Sequence, residues 1–106
     1  MPKYLVRATL TQEGVKGTLK EGGSARRAVI QRLAESLGTR LEAFYYAFGE
    51  DDIYGIFDAP DNVTAAASSM IVASSGIGRV QTVVLITPEE MDEVTKKHGE
   101  YTRPGD

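Results

Sequence analysis

Two strand-like runs, RLEAFYYAFG at 40–49 and DIYGIFDA at 52–59, have only Glu50-Asp51 between them. A connection that short joins its strands as an antiparallel hairpin. An element pair flanks the hairpin on each side. Ahead of it, KYLVRATLT alternates, with Tyr4, Val6, Ala8 and Leu10 on one side and Lys3, Arg7 and Thr9 on the other, which is the pattern of a half-buried strand. Thr11-Gln12-Glu13-Gly14 caps a short turn that fades near Gly22-Gly23. Ser24 then opens a helix through Leu37, its inner stripe Ala25, Val29, Ile30, Leu33, Ala34 and Leu37, and Gly38 ends it. Behind the hairpin, Asp61 caps a second helix whose Val63, Ala66, Ala67, Met70 and Ile71 are expected to face the core, and Gly76 closes it. GRVQTVVLIT is the fourth strand. Thr87-Pro88-Glu89-Glu90 opens a third helix with a capping box.

Strand, helix, strand, strand, helix, strand is the split β-α-β order of an α+β, ferredoxin-like βαββαβ fold, with a four-stranded antiparallel sheet. Right-handed crossovers put both main helices on one face of that sheet. The alternation assigns Val6, Ala8, Ala43, Ala47, Gly55, Phe57, Val80 and Val84 to the helix side, with Gly55 giving the helices room. It assigns Leu5, Arg7, Thr9, Glu42, Phe44, Tyr46, Phe48, Tyr54, Ile56, Arg79, Gln81, Val83 and Leu85 to the other side. No further layer in 106 residues remains to cover that mixture of aromatics and charges, so a second subunit is expected on it. Residues 1–97 are read as one domain and 98–106 as a loose polar tail.

Composition removes several classes of function. The net charge of −3 leaves no basic footprint for nucleic acid. The absence of cysteine excludes disulfides, thiolate chemistry and thiolate-held metals. MPKYLVRATL has no apolar leader core and no apolar run reaches membrane-spanning length, so the expected compartment is the cytoplasm. No cofactor is expected.

TQEGVKGTLKEGGSARR, LEAFYYAFGEDD, APDN and LITPEE together resemble the GYD-domain proteins, over roughly residues 2 to 92. The tripeptide that names the family is not intact: the hairpin reads Gly49-Glu50-Asp51-Asp52-Ile53-Tyr54, in which only a glycine and a nearby aspartate match. The resemblance implies membership of the dimeric α/β-barrel superfamily, in which two sheets pack face to face. That superfamily holds monooxygenases, isomerases, haem proteins and non-catalytic modules, so it assigns no chemistry by itself.

Three groups of residues carry candidate chemistry. Glu50, Asp51, Asp52, Asp58 and Asp61 offer oxygen ligands, but Asp52 and Asp58 lie at opposite ends of one strand, about 20 Å apart at about 3.3 Å per residue. They are read as turn, strand-end and cap residues, and no metal site is expected. Gly22, Gly23, Ser24, Arg26 and Arg27 have the make-up of an anion site at a helix N-terminus, or of a plain helix start whose arginines pair with Glu21 or a partner subunit. Arg7, Glu42, Tyr46, Tyr54, Arg79 and Gln81 converge on the uncovered face, where they line a ligand pocket or seal a dimer interface. His98 follows two lysines and is read as solvated, and no nucleophilic triad is available. Two readings of function follow. One is a small homo-oligomeric module without catalysis of its own, binding a small molecule or an anion. The other is a cofactor-independent enzyme, monooxygenase- or isomerase-like, acting inside the barrel.

Overall fold

The computed structural model describes residues 1–106. Its elements are β1 (Lys3–Leu10), α1 (Gln12–Glu21), α2 (Gly23–Ser36), β2 (Arg40–Tyr46), β3 (Ile53–Asp58), α3 (Asn62–Ser74), β4 (Gly78–Leu85) and α4 (Pro88–Thr95). The four strands form one sheet in the order β2-β3-β1-β4, with every neighbouring pair antiparallel. The α+β class and the sheet expected from the sequence are therefore present. No helix is long and apolar enough to cross a membrane.

The helix ends follow local chemistry. Asp61 accepts from the Thr64 N–H, and Thr87 with Glu90 closes a reciprocal capping box behind Pro88. Gly38 and Gly76 sit at φ 71° and 79°, the left-handed conformation that ends a helix and that glycine adopts without a Cβ penalty.

The expectations for the helices are corrected at three points. The segment after Thr11 is a full ten-residue helix rather than a fading turn, and it runs to Gly22, which joins α1 to α2. Ser24 does not cap α2, because Gly22 holds that position with no side-chain bond. In α3 the inward side is Ala65, Ser68, Ser69 and Val72, while Val63 and Met70 are exposed. The helix is set in that rotation by two polar ties. Tyr4 donates from its hydroxyl to Asn62 at 2.6 Å, and the Ser69 and Thr82 hydroxyls meet at 2.5 Å.

The core is small. Tyr4, Ala59 and Ala65 form its buried cluster. Every residue from Pro88 to Asp106 is exposed, and this C-terminal arm stretches the radius of gyration to 17.0 Å. A compact chain of this length would have about 13 Å.

One irregularity repositions the sheet's side chains. The β2–β3 register runs Leu41↔Phe57 and then Ala43↔Ile56, so β2 carries a bulge at Glu42. Beyond a bulge the alternation inverts relative to the partner strand. Phe44 and Tyr46 therefore pair with Gly55 and Ile53 on the helix side, and Ala43 and Tyr45 lie on the open side. This reverses the expected faces of Ala43, Phe44 and Tyr46. Gly55 is on the helix side as expected, but a Cβ there would meet the Phe57 ring at 2.9 Å and the Ala43 carbonyl at 3.5 Å, with no helix atom among its nearest neighbours. The hairpin connection is longer than two residues. It spans Ala47 to Asp52, with Phe48 fully exposed in it rather than on the open face.

Candidate functional site

The cross-strand register builds the open face in rows. Tyr45, Tyr54, Arg7 and Gln81 form one row across all four strands, and Ala43, Ile56, Leu5 and Val83 form the next. A charged row of Arg40, Asp58 and Lys3 follows, with Leu85 at its end. An apolar band thus runs between two polar ones.

Of the residues expected to converge here, Arg7, Tyr54 and Gln81 stand side by side, and Arg79 is one pair further along β4, opposite Thr9. Glu42 is also on this face but at its other end, bonded to Lys3 at 3.2 Å. Tyr46 is not among them. The bulge carries it to the helix side, where its hydroxyl donates to the Gly23 carbonyl at 3.3 Å. Burial pushes its phenol up, and the charges of Arg26 and Arg27 oppose that effect.

Arg7 is held from two sides. Its guanidinium donates to Gln81 at 2.5 Å, and Asp51 of the hairpin loop lies 3.8 Å from Nε. Thr9 fixes that carboxylate by donating to it at 3.0 Å. Nε itself is buried and makes no hydrogen bond.

The other acids of the 48–61 stretch are each engaged elsewhere. Asp52 accepts from the Leu10 N–H at 2.7 Å, locking the hairpin loop to β1. Asp61 caps α3, and the backbone N–H of Thr64 holds its carboxyl below the usual range. Asp58 is buried and accepts from Lys3 at 2.7 Å and from two Arg40 nitrogens at 3.0 and 2.8 Å. No group of three or more potential metal ligands forms.

Lys3 first, and then Arg40, hold the Asp58 carboxyl below its ordinary value of 3.8. Its stabilising contribution is therefore complete above about pH 4 and is lost as pH falls through the lower folded-state value. Thermal melts between pH 2 and 6 should show the Asp58→Asn variant less stable at neutral pH and less sensitive to acid than the parent. Asp61 retains part of the acid response. Parallel pH curves for the two proteins would remove Asp58 from this role.

At the joint of α1 and α2, Gly22, Gly23, Ser24 and Arg26 lie within one short turn. Gly22 has φ 88°, and its N–H is already spent on the Thr18 carbonyl at 2.8 Å. Arg26 pairs with Glu21 at 3.2 Å. Arg27 is exposed. This pairing is the plain helix-start arrangement weighed against an anion site in the sequence.

A concave feature lies on the helix side, at residues that no motif or period in the sequence singles out as a cavity. Strands β1 and β3 floor an apolar cavity of about 200 Å³, walled by α1, α2 and α3. Phe44 and Tyr46 enter it only because of the bulge, and the inward serines of α3 leave it unfilled.

A curated protein of Thermus thermophilus, the "Glutamine synthetase and cystathionine beta-lyase binding protein", is 31% identical over 86 residues, covering 81% of this chain and 90% of its own length. Residues 4–95 match the GYD domain, and the chain belongs to that family.

Proposed function

We propose that this chain is a binding module without catalysis of its own, which pairs with a second copy through the open sheet face and presents the resulting body to other proteins. The observation that carries this reading is the apolar row Ala43, Ile56, Leu5 and Val83, which lies between polar rows with no layer of the chain above it. Two such rows packed face to face would exclude water, and the flanking charged rows would fix their register. The Thermus relative supports the second half of the reading, since it is named for binding two enzymes. The displaced titrations of Lys3, Tyr46, Asp58 and Asp61 arise from ion pairing, burial and helix capping, which are structural causes.

Light scattering behind a sizing column should give a dimer or larger assembly at micromolar concentration. Leu5→Asp, which places a charge in the middle of the apolar row, should yield a folded monomer. A folded, monomeric parent protein would overturn the self-pairing. Titration with glutamine synthetase and with cystathionine beta-lyase from the encoding organism tests the rest, and failure to bind either would separate this chain from its relative's role.

A further inference from the structure

The cavity between the sheet and the helices is independent of the proposed pairing face. Val6, Leu33, Phe44, Gly55, Phe57 and Val72 supply most of its floor and walls, a largely apolar surface to which Thr18, Ser68 and Ser69 add hydroxyls. At about 200 Å³ it exceeds the roughly 150 Å³ of an engineered apolar cavity that stays dry and takes up benzene. It is also too small for ligands that need the usual 300 Å³ or more.

The opening is identifiable. Among the lining residues, Glu21 and Tyr46 alone are exposed. Arg26 stands beside them, tied to Glu21 at 3.2 Å, so the mouth offers a matched ion pair and a phenol rather than a free charge. A net charge on a ligand would meet no uncompensated partner there, and deeper in the cavity it would be stripped of water.

We propose that this cavity is a binding site for a neutral, single-ring compound, aromatic or alicyclic, carrying at most one small polar substituent toward the Tyr46 hydroxyl. The rings of Phe44 and Phe57 favour an aromatic ligand by edge-to-face contact. The lack of a side chain at Gly17 and Gly55 and the short one at Ser68 keep the space open.

The test uses the full chain with p-cresol and indole as neutral probes and benzoate as the charged comparison. Each neutral probe at millimolar concentration should raise the melting temperature by ligand linkage. Methyl NMR shifts should be confined to cavity-lining residues, among them Val6, Ile30, Leu33, Val72 and Val80. Benzoate should bind at least tenfold more weakly. Ser68→Leu, which extends a side chain into the cavity, should weaken p-cresol at least tenfold while leaving the oligomeric state unchanged. Should that variant fail to fold, the methyl map of the parent protein decides the question. No methyl shift up to the solubility limit, shifts centred on Leu5 and Val83 instead, or benzoate binding as tightly as p-cresol would each overturn the proposal.

Discussion

Tyr4→Ala should cost about 3–5 kcal/mol, the range for removing a large buried aromatic side chain, and should leave the protein largely unfolded at 37 °C. Tyr4 is 2% exposed and is the only large side chain in a buried cluster whose other members are alanines. Its ring is therefore the main apolar mass of that buried cluster, which joins β1 to α3. The hydroxyl adds a separate element by donating to Asn62 in the first turn of α3. Tyr4→Phe removes only that bond and should cost about 1 kcal/mol. Urea titration of the three proteins separates the two contributions. A Tyr4→Ala loss no larger than that of Tyr4→Phe would show that the ring does not hold the core together.

Gly14→Ala should be the second most damaging of the changes considered, at about 1–3 kcal/mol from overpacking. A Cβ at Gly14 would stand 2.0 Å from the Ile77 carbonyl oxygen, which is backbone and cannot rotate away. The close approach has a cause. Thr11 donates its N–H to Ile77 at 3.1 Å and its hydroxyl to Gly76 at 2.6 Å, drawing the first turn of α1 onto the entry to β4. Gly17, one turn later, has open space around its Cβ position. Gly17→Ala should therefore stabilise α1 by about 0.5–1 kcal/mol, the usual gain for replacing an interior helical glycine. Opposite signs at two glycines of one helix are the expected result. If the Gly14 variant melts no lower than the parent, α1 is not pinned at Ile77.

The parts of the fold legible in the sequence were those governed by neighbours in the chain. The alternation of β1, the Asp61 and Thr87 caps and the chain reversals at Gly38 and Gly76 each depend on a few consecutive residues. The faces of β2 were not legible, because a bulge is a mismatch between two strands and leaves no period in either one alone. That one extra residue moved Tyr46 from the expected pairing face to the mouth of the cavity. The rotation of α3 was hidden for a related reason. Val63, Ala66 and Met70 form a plausible inner stripe by apolarity, but long-range hydroxyl ties to Tyr4 and Thr82 outweigh it. The ion cluster on Asp58 was likewise invisible, since Lys3 and Arg40 are 55 and 18 residues away from it.

The bulge has one more consequence, for what the protein does when crowded. β2 and β4 are the two edges of the sheet, and an edge strand is a template on which other chains can add. In β2 the displaced residue breaks the even row of backbone donors and acceptors, so a foreign strand cannot pair along its length. β4 runs eight residues in unbroken register with β1, and its outer edge has no such interruption. Strand addition is therefore expected at β4 in preference to β2.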